Sequence, residues 1–409
     1  WLLVAGDEDP AAAQIRALRP DDDLDAQLEL NERSFGVKSP DVRDHWRRTV
    51  AHLVVQGRCL GAFVGARPVG TAMFHDMRQW WRGRAVPMAG VSSVAVAPEE
   101  RGQGIARRLM AALLAEMARQ GYPISALYPA TMPMYRSLGW ELAGARETAE
   151  IPARSLRPLA PPDLPADAGS VALRRVGAGD AGAVISVIGR VHEAARDCGP
   201  ITWDEATVRQ WLGDPELYVY LAVDGLLIYR WHGGNDAVFV ESAEAVSGAT
   251  VRAFWSHVGS HASIAETVYV RAGAADSFWW LTRERDADVT HRSMWMLRVV
   301  DAPGAIAARG FPAATSLRVP LDVSDGACPA NSGRWELTVA DQKGALNPRP
   351  PASAASPALV LGPRGLAALY AGTPVATLRQ AGLASGGSAD GDAALDAAFG
   401  ATAYMLDSF

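Results

Sequence analysis

Lysine is almost missing from this 409-residue chain: Lys38 and Lys343 stand alone among 39 basic residues, the rest being arginine. With abundant Ala, Gly and Pro, that scarcity reads as a high-GC coding bias rather than a functional device. Long basic runs are missing too, and the net charge is −6, which argues against nucleic acid as an obligatory partner. Cysteine is scarce. Cys59, Cys198 and Cys328 are far apart and odd in number, form no CxxC or zinc spacing, and read as buried free thiols rather than a disulfide framework. The eight histidines show no metal spacing, so no metal is expected, and His45, His52 and His75 read as structural or exposed. No apolar run approaches the ~20 residues of a membrane span. The opening WLLVAGDEDP has no basic flank, too short an apolar run and no cleavage site, and its lack of Met reads as a trimmed start. A cytoplasmic protein with no membrane partner is the expectation.

What is present is the composition of a globular chain, 49% hydrophobic and 21% charged, long enough for two or three domains. IRALRPDDDLDAQLELNERSFG predicts a short strand, an acidic turn with Asp21 to Asp23 as N-caps, and a helix with Leu24, Leu28 and Phe35 near one face. VALRRVGAGDAGAVISVIGRVHEAA, from Val171, repeats that order about 155 residues later, with Asp180 in the turn, which points to a repeated domain opening. CLGAFVGARPVGTAMFHDM predicts two strands joined at Arg67 and Pro68, and VPMAGVSSVAVAP a further strand. The Pro-rich stretch 157–170 reads as a linker. The expected division is 1–156, then the linker, 171–303 and 304–409. The last block carries an alternating strand pair in LRVPLDVSDGACPANSGRWELTVAD and a flexible loop before a capped helix in SGGSADGDAALD.

The most informative stretch is SVAVAPEERGQGIARRLMAALL, Ser93 to Leu114. An alternating strand stops at Pro98, and a glycine-punctuated turn runs into a helix with Ile105, Leu109, Leu113 and Met117 on one face. Arg101, Gly104 and Ala106 fit R-x-x-G-x-A. Gly102 and Gly104 lack a Cβ, and the free N–H groups at the helix start favour an anion, so this turn suits a pyrophosphate. A glycine turn that merely begins a helix would look the same, and RRVGAG (Arg174 to Gly179) also fits R-x-x-G-x-G.

Strand, A-P, E-R-x-x-G, helix, strand and the Y-x-x-x-G-W turn of GYPISALYPATMPMYRSLGWELA together resemble the GNAT acetyltransferase fold. With MLRVVDAPGAIAARGF, LDVSDGACPANSGRWEL and the terminal Phe409, the whole chain resembles the Eis family of actinobacterial acetyltransferases. The resemblance implies an α/β chain of mixed α+β character. Two tandem GNAT folds, the second degenerate, would precede a sterol-carrier-protein-like domain, in a homohexamer. It implies acetyl-CoA as co-substrate and N-acetylation of an amine: a small molecule such as an aminoglycoside, polyamine or arylalkylamine, or a peptide lysine. Only the first GNAT fold would bind acetyl-CoA. Main-chain groups of Val94, Ala95 and Val96 would meet the pantetheine arm. Arg101, Gly102, Gln103, Gly104, Ile105, Ala106 and Arg107 would hold the pyrophosphate, with Ala130 and Thr131 flanking the thioester.

Tyr135 matches the family's general acid, and the free carboxylate of Phe409 its base, acting through water. A phenol near pKa ~10 is protonated at neutral pH, and an α-carboxylate is ionised there. On residues alone, Tyr135 could equally pack under the Gly139–Trp140 turn, and a chain terminus is usually loose. Phe35, Trp80, Trp81 and Asp407 are the candidate acceptor-pocket residues, though core packing is as natural for the tryptophan pair. Val37, Lys38 and Ser408 stand where aminoglycoside-acetylating members carry acids, which weakens attraction for a polycation. Two other readings stay open: a scaffold that binds a lipid or small molecule without catalysis, and transfer of a larger acyl group.

Overall fold

The computed structural model describes residues 13–156, 171–282, 284, 286–349 and 357–409, so the opening decapeptide and the linker expected at 157–170 lie outside the described residues. Arg16, in β1 (Gln14–Ala17), clasps Asp22 through bonds of 2.6 and 2.7 Å, and Asp22 accepts the N–H of Arg19 at 2.7 Å. Asp23 then caps α1 (Leu24–Phe35) by accepting from the N–H groups of Asp25 and Ala26. After α2 (Pro40–Val55) come three antiparallel strands, β2 (Cys59–Val64), β3 (Arg67–Trp81) and β4 (Arg84–Val96). The first turn falls at Gly65 and Ala66, not at Arg67 and Pro68: Val64 pairs with Arg67, and Gly65 supplies the left-handed φ of +59°. Pro68 sits inside β3 beside a register shift, where its missing N–H interrupts no regular ladder. Helix α3 (Ile105–Arg119) buries Leu109, Leu113 and Met117 against one face of the sheet, as its 3.6-residue pattern requires. β5 (Ile124–Leu127), the short α4 (Met132–Arg136) and β6 (Glu141–Pro152) complete this unit.

The second unit opens with the same local chemistry. Arg174, in β7 (Arg174–Arg175), pairs with Asp180 at 2.9 Å, and Asp180 accepts the N–H of Gly177 at 3.0 Å. There follow α5 (Ala181–Ala195), β8 (Cys198–Trp203), α6 (Glu205–Trp211), β9 (Tyr218–Ala222), β10 (Gly225–His232), β11 (Ala237–Ala245), α7 (Gly248–Gly259), β12 (Thr267–Ala272), α8 (Phe278–Leu281) and β13 (Asp288–Val299). The last strand does not stay with its own half: β13 inserts between β5 and β6, while β6 pairs with β12. One 13-stranded sheet results, in the order β1-β2-β3-β4-β5-β13-β6-β12-β11-β10-β9-β7, with β8 paired to β3. From Trp295 to Val299 β13 is buried throughout, as a central strand must be.

The third unit comprises α9 (Ala302–Ala308), β14 (Leu317–Val323), β15 (Gly333–Ala340), β16 (Lys343–Pro348), β17 (Leu359–Leu361), α10 (Pro363–Ala371), α11 (Val375–Gln380), β18 (Ala384–Gly386) and α12 (Ala389–Phe399). Part of the stretch expected to be a flexible loop is β18, and Ser388 caps α12. This unit's sheet, β16-β15-β14-β17-β18, shares one apolar core with the long sheet: Met77, Met88 and Leu297 join Phe311, Leu337 and Phe399. A fully buried ion pair ties the two. Arg298 on β13 donates two 2.7 Å bonds to Asp325, and also donates to the carbonyls of Leu138 and Val299. Asp325 further accepts from the N–H of Cys328 and from Asn331. Removing one partner strands the other charge, so Asp325→Ala is expected to cost about 3–5 kcal/mol, read as an earlier urea midpoint.

Candidate active site

Inside β4, Ser93 carries a φ of +52°, and the ladder to β3 shifts there: Met73 pairs with Ser92, but Thr71 with Ala95. The extra residue makes a bulge that bends the strand. The parallel pairing of β4 with β5 covers only Met88 to Gly90 against Ile124 to Ala126. Val91 to Val96 therefore have no strand pairing on the β5 side, and a wedge opens between the two strands. Val94, Ala95 and Val96 form its β4 edge. Ala130 and Thr131, both exposed, lie in the segment that leaves β5.

From β4 the chain passes through the turn Pro98–Glu100 into the glycine segment. Gly102 and Gly104 have φ of +84° and +74°, and a Cβ on either would meet nothing within 4 Å, so backbone conformation rather than crowding calls for glycine. Helix α3 begins with no side-chain cap and no acid in its first turn, leaving its first N–H groups open to an anion. Arg33 and Arg67 engage Glu99 and Glu100. Arg101 donates to the Val96 carbonyl and Gln103 to Glu100, while exposed Arg107 has no ion pair among the described residues. Ile105 is buried as the anchor of this turn and Ala106 is half-buried. RRVGAG is different. Neither Gly177 nor Gly179 is left-handed, and Asp180 already occupies the N–H of Gly177 with a carboxylate that would repel an anion.

The tail from Gly400 to Phe409 is threaded through the junction of all three units. A Cβ on Gly144 would run into the Ala403 carbonyl, and one on Gly199 into that of Tyr404. One on Gly273 would lie 2.9 Å from the Tyr404 ring, and one on Gly90 3.0 Å from the Phe409 ring. The Tyr404 N–H donates to Cys198, Arg146 donates to the Leu406 carbonyl at 3.0 Å, and the Tyr128 hydroxyl meets the carbonyls of Met405 and Asp407 at 2.8 and 2.9 Å. The Phe409 ring stands edge-on to Tyr128 and Trp203, each 6.1 Å away.

Phe409 ends in a cavity of about 560 Å³, lined also by Asp407, Ser408, Ser92, Ser93, His75, His45, Trp46, Trp203, Trp211, Arg230, Glu241, Glu244 and Arg271. Asp407 accepts from the Trp203 indole at 3.2 Å, and burial pushes its carboxyl up. His75 lies 2.9 Å from the Ser92 hydroxyl, and burial lowers its pKa to about 4, so it is neutral at pH 7. Burial opposes protonation of His192, but Glu244 and Asp197 more than offset it and the pKa is raised. Tyr135 packs on the α3 face of the sheet, with Val91, Leu127 and Trp140, on the other side of β4 from Phe409. Burial pushes its pKa up to about 12, and its hydroxyl makes no hydrogen bond among the described residues. Of the residues expected to line an acceptor pocket, Asp407 is in this cavity and three are not. Trp81 is wholly buried between Trp295 and Tyr370, Trp80 donates to Thr202 beside His192, and Phe35 is 55% exposed at the end of α1. His45 and His75, read from the sequence as structural or exposed, line it. Arg230, Glu241 and Arg271 had no sequence signal at all, because three strands must align before they meet.

Two models of an acetyltransferase (GNAT) domain match residues 14–143 and 199–299, and a sterol carrier protein domain matches 302–406. A GCN5-related N-acetyltransferase from Kribbella flavida superimposes with a TM-score of 0.90 at 43% identity, covering 98% of this chain and 100% of that one. N-acetyltransferase Eis of Mycobacterium tuberculosis is 29% identical over 305 residues, 70% of this chain and 73% of its own length. Eis1 from Mycobacterium abscessus, at 23% identity and a TM-score of 0.76 over 97% of this chain and 100% of its own, shares the fold. Tandem acetyltransferase folds with a sterol-carrier unit thus define an acyltransferase of the GNAT type, using acetyl-CoA as co-substrate. The chain belongs to the Eis-like family of GCN5-related N-acetyltransferases.

Two measurements check this geometry. Gly144→Ala should destabilise by about 1–3 kcal/mol and free the tail, so that carboxypeptidase removes Phe409 faster than from the parent. His75 sets a pH dependence. An unfolded imidazole takes its proton near 6.5 and the buried one only near 4, so between those values the unfolded chain binds more protons. Stability therefore falls as pH drops through that window, by about 3 kcal/mol in all. In His75→Gln this contribution should vanish. The difference between variant and parent cancels Asp276, whose carboxyl burial raises to about 6 with the opposite slope.

Proposed function

We propose that the protein transfers the acetyl group of acetyl-CoA directly to a primary amine bound in the cavity that holds Phe409. The observation that carries this reading is the wedge between β4 and β5, which lies between the left-handed glycine turn and that cavity. A wedge with free main-chain groups suits the pantetheine arm, and the uncapped start of α3, with Arg101 and Arg107 near it, suits the pyrophosphate. In the second unit the corresponding strand–turn–helix, β11 to α7, starts its helix already capped, the Ser247 hydroxyl accepting the N–H of Thr250.

In the proposed reaction the Phe409 carboxylate, through water, accepts a proton from the acceptor ammonium. The amine nitrogen then attacks the thioester carbonyl, and main-chain N–H groups of the bulged strand stabilise the oxyanion. As the new C–N bond is kept and the C–S bond breaks, Tyr135 gives its proton to the departing sulfur. Its raised pKa keeps it protonated throughout the neutral range, and a hydroxyl with no hydrogen-bond partner among the described residues is free for that role. The second proton lost by nitrogen passes to water and restores the tyrosine.

Thiol release with an amine panel tests this. Tyr135→Phe is expected to lower kcat by about 100-fold or more while the KM for acetyl-CoA stays within a few-fold. Gly104→Val, forced into a left-handed φ, should instead raise that KM. A residue appended to Phe409 should abolish turnover at an unchanged melting temperature. Normal turnover in the extended chain would remove the carboxylate from the mechanism.

A further inference from the structure

Arg230 on β10 and Arg271 on β12 both turn to one carboxylate, Glu241 on β11, and all three line the cavity that holds Phe409. One acid shared by two guanidinium groups leaves a whole positive charge. Arg230 gives only its Nε to Glu241, at 3.0 Å; its terminal nitrogens donate to nothing among the described residues, and its side chain is 37% exposed. Arg271 sits deeper, and burial pulls its pKa down even with Glu241 beside it. Arg146, beside the cavity rather than in its lining, is held by the Leu406 carbonyl and the Tyr128 ring and by no carboxylate among the described residues.

The remaining acids have other partners as well. Glu244 faces His192 and the Tyr404 hydroxyl, and burial favours its protonated form. Asp407 is taken by the Trp203 indole, and burial favours its protonated form as well. With Asp407 and the Phe409 carboxylate ionised the cavity is balanced overall, so its local positive charge is where Arg230 and Arg271 share Glu241, at the idle face of Arg230. The Phe409 carboxylate makes no ion pair within 4 Å among the described residues. Trp203, Trp211 and Ile228 also line the cavity and give it apolar surface. A half-buried guanidinium with an idle face is stabilised by an anion that can meet it side-on.

We propose that the acceptor is a primary amine on an apolar or aromatic body bearing a carboxylate at its far end, with Arg230 and Arg271 holding the carboxylate while the amine faces Phe409. This rests on the acetyl-transfer reading and names its substrate class. A polycation would meet like charge where this ligand meets its partner.

Three probes with one body test it: 2-phenylethylamine, 4-(2-aminoethyl)benzoate and 4-(2-aminoethyl)benzylamine. Each is assayed for thiol release from acetyl-CoA, and for calorimetric binding to the full chain saturated with CoA. The benzoate is expected to exceed phenylethylamine at least tenfold in both kcat/KM and affinity, with the diamine weakest. Arg230→Gln should cut the benzoate-to-phenylethylamine ratio at least tenfold, and Arg230→Lys by less. Glu241 keeps Arg271 in the variant, and the comparison of probes on the parent stands without any variant. A diamine bound best, or a ratio unmoved in Arg230→Gln, would overturn the assignment. Benzoate binding with no turnover of any probe would uphold it and overturn acetyl transfer instead.

Discussion

The segment from Gly400 to Phe409 runs through the junction of all three units, and much of the structure follows from making room for it. A chain end ordinarily frays, because few contacts offset its entropy. Here Ala403, Met405 and Leu406 are buried, and main-chain carbonyls of the tail accept from Arg146 and Tyr128. The space is cleared by glycines from four separate places: Gly90 in β4, Gly144 in β6, Gly199 in β8 and Gly273 after β12. None of these is a turn glycine in the ordinary sense. Gly199 alone has a left-handed φ; at Gly144 and Gly273 the tail passes where a Cβ would be, and at Gly90 a Cβ would meet Met77 at 2.7 Å as well as the Phe409 ring at 3.0 Å. Insertion of β13 between β5 and β6 brings the strands of both acetyltransferase units into one sheet, so that these four positions can converge.

The two units begin alike and diverge at one carboxylate. Arg16 with Asp22 and Arg174 with Asp180 are the same clasp, each aspartate also taking a main-chain N–H three residues earlier. In the first unit the clasp stands at β1, far along the chain from the glycine turn before α3. In the second, Asp180 closes an R-x-x-G-x-G sequence on itself. Nearly the same short pattern thus gives an open anion seat once and a filled turn once. Side-chain partners and backbone conformation decide between them, not the glycine spacing.

This divides what could be read in advance from what could not. Helix α3, its cap-free start and the turn at Gly102 and Gly104 are local, so periodicity and residue type sufficed. Asp23 as a cap and the repeated opening at Asp180 were legible for the same reason. The turn placed at Arg67 and Pro68 erred because a proline beside a bulge imitates a proline in a turn. β13 could be read as a strand but not as a neighbour of β5, since pairing across more than a hundred residues leaves no mark in a single sequence. Trp80 and Trp81 illustrate the limit from the other side: adjacent residues on a strand face opposite ways, and Trp81 went to the shared core. The cavity's charges were least legible, because Arg230, Glu241 and Arg271 gain meaning only from register.

The third unit's contribution is best understood through its interior. Its core is filled where it meets the long sheet: Arg309, fully buried and without an acidic partner among the described residues, donates to the Tyr370 carbonyl and lies within 4.4 to 5.4 Å of the rings of Trp81, Phe311, Tyr370 and Phe399. A cation so enclosed relies on ring faces and carbonyls from both units, so the interface cannot slide without stranding it. Arg298 and Asp325 impose the same condition from β13. Rigid docking is what a terminal carboxylate requires if it is to stand opposite a wedge formed by β4 and β5. The first unit supplies the wedge and glycine turn, the second the arginines and the apolar wall, and the third fixes the point from which the tail departs. One site is therefore shared among three units, and a loss of docking at the third would be felt in the cavity before it was felt in the fold of the first.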